Sequence, residues 1–327
     1  MNGRSIVLAH QYQARINLND LFTGEGFAPA IITPAEIEAL ENPQPASAPV
    51  RLDFPDFLEP ELKASLGDGF DEILTAMQGR APVDLRVNTL KTTIAEAQNL
   101  LARDLIFTDI LPNIPDALRI TQNPRKLNGS LAYRYGFVEL QDVSSQRIAR
   151  FADAKPGMRV LDYCAGGGGK TLALAALMQE KGVLLAHDVN PARMKDLPER
   201  ARRAGAKIQI LPPNQLDLTK QCDLVLVDAP CSGSGAWRRN PDSKWRLGPA
   251  GLEKLTQLQD EILELAKGFV KPGGKLVYAT CSLFDLENDQ RIQHFLAKNA
   301  DWTLNDEIRL TPSTGGDGFF GAILDKP

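Results

Sequence analysis

From about residue 137 onward, the sequence alternates short apolar segments with longer segments whose apolar residues have helical spacing. The segments predicted to be strands are MRVLDYC, VLLAHD, KIQIL, DLVLVDA, GGKLVYATCS and the final GDGFFGAILDK. The helices predicted between them cover 170–179, a stretch that ends at Arg202, 251–269 and 287–297. Strands that alternate with helices form parallel sheets, because each helix carries the chain back to the start of the next strand. The predicted fold class is therefore α/β, with a doubly wound, mostly parallel sheet covered by helices on both faces.

The residues before this alternation divide into two segments, 1–50 and 51–135, which leaves 136–327 for the large sheet. Residues 1–50 are interpreted as a leader and linker, with one short helix predicted over 34–40 and a Pro-, Ala- and Ser-rich stretch over 41–50. Residues 51–135 are predicted to form a small α/β domain. Its predicted elements are a helix over 60–77, a strand from Val83, a helix over 93–101 capped by Thr93, and a strand near 118–120.

The composition excludes several classes of protein. With 37 Lys and Arg against 41 Asp and Glu, the net charge is −4, so any RNA contact must come from local basic patches. The four cysteines and three histidines contain no Cys-x-x-Cys pair, which argues against a metal site and a disulfide scaffold. No apolar segment approaches the roughly 18 residues of a membrane span, and none resembles a signal peptide. We therefore expect reduced cysteines, no metal, no membrane partner and a cytoplasmic location.

A glycine cluster, LDYCAGGGGKT over 161–171, lies where a strand is predicted to turn into a helix. Ligands of open α/β sheets bind at such turns, and glycines let the backbone approach them closely. Cys164 stands where a Walker A motif requires Gly, and Thr171 or Leu172 stands where a dinucleotide fingerprint requires its last Gly. An S-adenosylmethionine loop is less strict and fits. A plain glycine turn without a ligand is the alternative.

Asp188 ends the next predicted strand, about 20 residues after the glycine loop. An acidic residue in that place typically accepts hydrogen bonds from ribose hydroxyls. A helix cap or a solvated side chain is the alternative, and the neighbouring glycine loop favours the ribose contact.

Two cysteines follow two later strands at the same edge of the predicted sheet. Cys231 lies in VDAPCSGSG, and Cys281 lies in VYATCSLFDLEND. Since their strands are near neighbours in a doubly wound sheet, both thiols can face one pocket. The carboxylate of Asp228 disfavours a thiolate at Cys231, which indicates a proton-handling role for this residue rather than a pre-ionised nucleophile. Taken singly, each cysteine is more typical of a small buried apolar residue.

The other two cysteines are interpreted as structural. Cys222 precedes its strand and is expected at the opposite edge of the sheet. Cys164 lies inside the glycine turn, beside any ligand that the turn would bind.

A basic segment with two tryptophans, WRRNPDSKWR over 237–246, follows Cys231. Basic side chains contact phosphates, and aromatic faces stack on unpaired bases. Arg238, Arg239 and Lys244 are therefore predicted to contact the substrate, with a solvated charged loop as the alternative.

Together these residues resemble the Sun/RsmB-type family of RNA cytosine-5 methyltransferases. The resemblance covers roughly residue 52 to the end and rests on RVNTLK, GFVELQDVSSQ, LDYCAGGGGKT, LVDAPCSGSGAWRRNPDSKW, LVYATCSLFDLEND and GDGFFGA. The pairing of DAPCSGSG with ATCS is highly specific to this family. The resemblance implies a Rossmann-like class I methyltransferase domain with an antiparallel last strand, preceded by a small RRM-like domain that helps to seat RNA.

The resemblance also implies a role for each site residue. Cys281 would attack carbon 6 of cytosine, and Cys231 would assist removal of the carbon 5 proton and release of the adduct. Asp228 would hydrogen-bond the polar edge of the base, and Lys170 would position Asp228 or the base. The residues implied to hold S-adenosyl-L-methionine are Cys164, Ala165, Gly166, Gly167, Gly168, Gly169, Lys170, Asp188, Asn214 and Asp228.

The chain departs from the family pattern in three places. Gly166 and Gly167 replace a usual Ala-Pro. No Asp directly follows the third strand, so Asn214 or Asp217 is expected to take its place near the adenine. Residues 1–50 are too short for the further helical domain of the bacterial rRNA enzymes.

We expect a monomer that acts on RNA, with 16S ribosomal RNA implied by the resemblance and transfer RNA as the alternative. Two other classes of protein remain to be weighed. An oxidoreductase would use the glycine loop but would need no paired thiols. A catalytically idle RNA-binding or ribosome assembly factor would need neither both cysteines nor Asp228 and Lys170.

Overall fold

The computed structural model describes residues 3–42, 47–218 and 221–327, without the side chains of 217 and 218. The chain separates into two compact units, Met1–Arg51 and Leu52–Pro327. The expected linker over 41–50 falls partly on residues 43–46, which lie outside the described residues. Every helix in the described part of the chain is too short or too polar to cross a membrane.

The first unit is helical, with α1 (Gly3–Gln13) and α2 (Pro34–Glu41). The predicted helix over 34–40 is present as α2, and a capping box at Thr33 and Glu36 satisfies its first backbone donors. The sequence pattern does not predict α1, in which only Leu8 is buried. The short helix α3 (Ala48–Leu52) follows these elements along the chain.

The second unit begins with a four-stranded antiparallel sheet and its helices. Its helices are α4 (Glu59–Leu66), α5 (Phe70–Gln78), α6 (Ile94–Arg103) and α7 (Leu131–Arg134). Its strands are β1 (Asp84–Val87), β2 (Phe107–Ile110), β3 (Ala117–Gln122) and β4 (Val138–Leu140). They lie in the order β2-β3-β1-β4, and every pair is antiparallel.

Two expectations for this small domain differ from the structure. The single helix expected over 60–77 is divided into α4 and α5, because Gly67 adopts a φ of +50° that ends the first helix. The boundary expected between 135 and 136 falls before β4, which pairs with β1 in the small sheet. A three-residue strand carries little periodicity of its own, so only its pairing with β1 shows which sheet it joins.

The rest of the second unit forms a seven-stranded sheet with its helices. Its strands are β5 (Arg159–Asp162), β6 (Val183–His187), β7 (Gln209–Leu211), β8 (Cys222–Asp228), β9 (Val270–Thr280), β10 (Thr303–Leu310) and β11 (Phe319–Asp325). Its helices are α8 (Val143–Phe151), α9 (Gly169–Met178), α10 (Leu197–Ala204), α11 (Ser243–Arg246), α12 (Pro249–Ala266) and α13 (Asp289–Lys298).

The strand order β10-β11-β9-β8-β5-β6-β7 confirms the doubly wound α/β prediction. Strands β5 to β9 are parallel to their neighbours within that group, and β11 is antiparallel to both β9 and β10. Adjacent residues of β5 belong to different apolar clusters: Leu161 packs with residues of α12, and Val160 packs with residues of α9. The sheet is therefore covered on both faces, and the chain reverses its winding direction between β5 and β8, where ligands of such sheets bind.

The edge strand β10 is absent from the prediction. Six of its eight residues are exposed, so its sequence lacks the apolar alternation that marks a half-buried strand. Its pairing with β11 along almost its full length, and not an apolar pattern, makes it a strand.

Candidate active site

The two predicted thiols lie together just beyond the carboxyl ends of β8 and β9. These strands are parallel neighbours, with Asp228 opposite Ala279 in the register. The chain beyond each strand places the Sγ atom of Cys231 3.4 Å from the Sγ atom of Cys281. Both residues are partly exposed, so a ligand at this edge has access to the pair.

Cys231 is held as a neutral thiol. Its hydrogen bond with Cys281, its burial and the electrostatic effects of Cys281 and Glu287 together raise the pKa of the Cys231 thiol well above its usual value. The sequence predicts that Asp228 causes this effect. In the structure the carboxylate that contributes is Glu287, which is distant in sequence and fully buried.

Lys170 and Asp228 form an ion pair at the same edge. The Lys170 side chain leaves the first turn of α9, and its Nζ atom lies 2.7 Å from Oδ2 of Asp228 at the end of β8. Burial disfavours the ammonium, but the charge and hydrogen bond of Asp228 outweigh it, so the pKa of Lys170 is raised. The Nζ atom also lies 4.9 Å from the ring centroid of Phe319. A cation is therefore fixed at the sheet edge that carries the two thiols, where it interacts electrostatically with Cys281.

The glycine turn between β5 and α9 has the left-handed backbone that glycine allows. Gly166 has a φ of +50° and Gly168 a φ of +80°. The N–H of Gly166 donates to Oδ2 of Asp188 at 3.0 Å, and the N–H of Ala165 donates to the carbonyl of His187 at 2.8 Å. The end of β6 therefore holds the turn in place.

Asp188 is almost fully buried and already has three donors in the structure. Besides Gly166, the N–H of Asn190 donates to it at 2.9 Å, and Nη1 of Arg193 lies 3.1 Å from Oδ2. About half of the Arg193 side chain is exposed, so it is free to leave when another donor enters. The contact of Asp188 with a ribose stays a prediction.

Asp162 is a buried acid that the sequence reasoning missed. It ends β5 directly before the glycine turn, and its Oδ2 atom accepts a hydrogen bond from Thr171 Oγ at 2.6 Å. Its Oδ1 atom is buried and has no hydrogen-bond partner in the described part of the chain. Burial raises the pKa of Asp162 to about 7, although the Thr171 hydrogen bond opposes the shift. The available signal was its position, since it is the last strand residue before the glycines.

Asn214 lies in a 3-10 helix, Pro213–Leu218, that follows β7. Since β7 pairs in parallel with β6, this helix lies at the same sheet edge as Asp188. The alternative residue at this place, Asp217, has a side chain that lies outside the described residues. A contact of Asn214 with adenine stays a prediction.

The other two cysteines lie at different places along the large sheet. Cys222 begins β8, is fully buried and lies at the opposite edge of the sheet from Cys231. Cys164 lies in the turn after β5, and burial raises the pKa of its thiol. The described residues contain no group of three or more His, Cys, Asp and Glu side chains that could hold a metal ion.

The basic side chains predicted to contact RNA all form ion pairs with carboxylates of the protein, although Arg239 is exposed. Arg238 is almost fully buried and donates to Asp317 through Nε at 2.9 Å, and Arg239 also pairs with Asp317. Lys244 is buried and lies 2.5 Å from Asp53. A buried carboxylate requires a partner, and Asp317 forms ion pairs with both arginines. Their contact with RNA stays a prediction, and the geometry gives them a structural role.

The order of the large sheet, the antiparallel β11 and a site at the carboxyl ends of β5, β8 and β9 define a Rossmann-like class I methyltransferase fold. The chain belongs to the 16S rRNA methyltransferase RsmB/F family, whose model matches residues 150–324. The model of the ferredoxin-like domain of RsmF/B-like methyltransferases matches residues 54–125, within the small domain expected to be RRM-like. The resemblance stated from the sequence is thereby confirmed.

Individual relatives agree with this assignment. The ribosomal RNA small subunit methyltransferase B of Klebsiella pneumoniae subsp. pneumoniae is 35% identical over 285 residues, which are 83% of this chain and 66% of the relative. The protein of the same name from Salmonella newport is 34% identical over 294 residues, 86% of this chain and 68% of its own. The chain thus spans about two thirds of the length of these curated relatives.

A solved structure shares the fold. The methyltransferase homolog protein from Pyrococcus horikoshii superposes with a TM-score of 0.74 at 27% identity. The match covers 90% of this chain and 100% of that one. The small domain and the large sheet therefore occur together in a solved relative.

Proposed function

We propose that this protein transfers a methyl group from S-adenosyl-L-methionine to carbon 5 of a cytosine in RNA, through a covalent bond between Cys281 and carbon 6. The observation that carries the proposal is the pair of sulfurs, 3.4 Å apart at the ends of two neighbouring parallel strands. A neutral thiol at Cys231 leaves Cys281 as the candidate nucleophile. An oxidoreductase that uses the same glycine turn has no need of this pair.

The chemistry follows from the weak nucleophilicity of cytosine. Attack of the Cys281 thiolate on carbon 6 makes carbon 5 electron-rich and divides one difficult step into two easier ones. Carbon 5 then takes the methyl group. In the release step, the bond between carbon 5 and its proton breaks, and its electron pair re-forms the double bond between carbons 5 and 6 and expels the Cys281 sulfur. Cys231 relays the proton: its thiol gives its own proton to the departing Cys281 sulfur, which it contacts, and accepts the carbon 5 proton in its place. Asp228, held by Lys170, hydrogen-bonds the polar edge of the base.

The residues at the glycine turn fit S-adenosyl-L-methionine, which supplies the methyl group on a sulfonium. The buried Oδ1 atom of Asp162 lacks a donor, and the cationic amino group of the cofactor would supply one. The left-handed turn at Gly166 and Gly168 brings the backbone close to the ligand. Asp188 would accept the ribose hydroxyls once Arg193 moves away.

The roles of the two cysteines are tested by separate substitutions. We expect Cys231→Ala to accumulate a covalent protein–RNA adduct, because attack proceeds while release is impaired. We expect Cys281→Ala to form no adduct and to lose methylation. The adduct is measured as a band that resists denaturing electrophoresis, and methylation is measured by transfer of a radiolabelled methyl group. Cys222→Ala, at the far end of β8, is the matched control. Methyl transfer by Cys281→Ala contradicts the assignment.

We propose small-subunit ribosomal RNA as the substrate, which is what the names of the relatives state for those proteins. Bisulfite sequencing of total RNA from cells with and without the gene tests this. We expect one cytosine of 16S ribosomal RNA to resist conversion only when the gene is present. A gene-dependent position in transfer RNA instead would replace this substrate, and no gene-dependent position at all would favour an assembly factor without activity.

A further inference from the structure

Glu287 contacts both of the loops that carry the two thiols. Its side chain is fully buried at the end of the 3-10 helix Asp285–Glu287. From the Cys231 loop, the N–H of Ser232 donates to Oε1 at 2.8 Å and its hydroxyl donates to Oε2 at 2.5 Å. From the Cys281 loop, the hydroxyl of Ser282 donates to Oε2 at 2.5 Å.

A third element completes this arrangement. Gln259 of α12 donates through Nε2 both to Oε1 of Glu287 and to the carbonyl of Pro230, each at 3.0 Å. The hydroxyl of Tyr278 on β9 donates to the backbone carbonyl of Glu287 at 2.7 Å. Ser232, which follows Cys231, is thus hydrogen-bonded to Glu287 itself, and Pro230, which precedes Cys231, is hydrogen-bonded to Gln259.

We propose that Glu287 is a positioning residue that sets the separation of Cys231 and Cys281; the inference rests on the proposed function. The two residues it contacts in the loops, Ser232 and Ser282, each directly follow one of the cysteines. A change in the position of this carboxylate therefore moves one sulfur relative to the other. No motif in the sequence predicts a role for Glu287.

The burial of this carboxylate shows that the arrangement is specific. A carboxylate out of contact with water is tolerated only when hydrogen-bond donors replace the water. In the described part of the chain, Glu287 has no ion pair with Lys or Arg, so its donors are the neutral groups of Ser232, Ser282 and Gln259. Its negative charge is therefore left uncompensated next to the thiols.

That charge acts on Cys231. After the hydrogen bond with Cys281, burial and the electrostatic effect of Cys281, the charge of Glu287 is a further cause that raises the pKa of Cys231. The other titratable groups that face this cluster are Lys170, whose charge interacts with Cys281, and Tyr278. Burial and the charge of Glu287 raise the pKa of Tyr278 well above its usual value, and Arg291 and Asp260 also act on it with opposite signs. The charge of Asp228 is compensated by its ion pair with Lys170. Glu287 is therefore the carboxylate whose removal directly changes the pKa of Cys231.

The experiment replaces the charge while it keeps the shape. In Glu287→Gln, we expect the pH midpoint for alkylation of Cys231 by iodoacetamide to fall below that of the wild type. The midpoint is measured by mass spectrometry of the Cys231 peptide in the free protein, without RNA or cofactor. We also expect kcat for methylation to fall about 100-fold, as when a reacting group is displaced by roughly 1 Å. Glu253→Gln, on the exposed side of α12, is the matched control and leaves both values unchanged.

Two further measurements separate the possible outcomes. If Glu287→Gln does not fold, Ser232→Ala removes a single donor to the carboxylate and should reduce kcat in the same direction by a smaller factor. A folded Glu287→Gln protein with the wild-type alkylation profile and the wild-type kcat overturns the inference, as does an unchanged kcat in Ser232→Ala when Glu287→Gln is unfolded. The alkylation profile needs no substrate. A shifted profile in a protein whose Cys281→Ala variant still methylates RNA would reject the proposed function and retain the inference.

Discussion

Buried polar residues dominate the site at the scale of single side chains. Asp162, Lys170, Asp188 and Glu287 all have little or no contact with solvent. Three of them have hydrogen-bond or ion-pair partners. A buried polar group with such partners helps to fix the local structure instead of weakening the fold. Asp162 is the exception, because one of its oxygens has no donor in the described residues and its pKa is raised to about 7. The buried carboxylate of Asp162 therefore lowers the stability of the folded protein when no ligand is bound.

Asp162→Asn should stabilise the cofactor-free protein at neutral pH. The pKa of this carboxyl is about 7 in the folded protein against an ordinary value of 3.8, so the folded state binds more protons than the unfolded chain. Its contribution to stability is therefore lost as pH rises from about 4 to about 7. An asparagine at this position cannot ionise, so the Asp162→Asn variant does not lose stability in this way. Its free energy of unfolding relative to wild type should increase over that interval by up to about 4 kcal/mol, at about 1.4 kcal/mol for each pKa unit.

Urea denaturation at a series of pH values measures this difference. Asp196→Asn, at an exposed carboxyl before α10, is the control and should give a curve parallel to that of the wild type. An Asp162→Asn curve that is also parallel would show that Asp162 is ionised in the folded protein at all of these pH values.

At the scale of elements, the glycine turn is shaped by its contact with α10. A Cβ atom on Gly168 would lie 2.3 Å from Cδ1 of Leu197, the first residue of α10, in addition to the strain of its φ of +80°. A Cβ atom on Gly167 would meet only the end of the Arg200 side chain, at 3.4 Å. Neighbouring glycines in one motif thus have different requirements. Gly168 allows α9 and α10 to pack, whereas Gly167 has an ordinary backbone and a flexible neighbour.

Gly168→Ala should therefore destabilise the protein, and Gly167→Ala should not. We expect the first substitution to lower the free energy of unfolding by about 1–3 kcal/mol, because left-handed strain and overpacking of Leu197 add together. The second should change it by less than about 0.5 kcal/mol. Thermal or urea denaturation of the two variants measures both values. Equal effects would show that the turn relaxes around a side chain at either position.

At the scale of the whole second unit, ion pairs join the small sheet to the large one. Asp317, just before β11, is shared by Arg238 and Arg239. Arg239 also reaches Asp142 at 2.7 Å and donates to the carbonyl of Pro82 at 3.2 Å, before β1. The basic segment that follows Cys231 therefore contributes to the attachment of the small domain, since Arg239 pairs with Asp317 and Asp142 and also contacts Pro82.

Arg238→Met should be strongly destabilising, although Arg238 lies in a segment that resembles a solvated basic loop. The substitution leaves the buried Asp317 with one cation fewer, and breaking a buried pair costs about 3 kcal/mol or more. Arg246→Met is the matched control from the same segment. Its pair with Asp242 is largely exposed, so we expect a loss below about 0.5 kcal/mol. Chemical denaturation measures both variants, and similar small losses would mean that Asp317 is stabilised by Arg239 alone.

Local patterns in the sequence determined the order of the elements and the motifs of the site. Strands with strong apolar content, such as β5, β8 and β9, and the capped helices α2 and α6 were predictable because their signals lie within a few residues. The placement of the Cys231 and Cys281 loops at one edge followed from the parallel topology alone. The weakly apolar strands β4 and β10 were not predictable, because pairing with distant residues defines them.

Only the tertiary structure decided which polar residues are paired and which are exposed. Arg238 lies in a basic segment typical of phosphate binding, yet a carboxylate 79 positions away in the sequence determines its contacts. Glu287 has no distinctive local pattern, yet it joins both thiol loops across 55 residues of chain. The free energy of a charged group depends on burial and on the partners that replace water, and both are supplied by segments far away in the sequence. The type of chemistry was therefore readable from short motifs, while the state of each ionisable group required the folded protein.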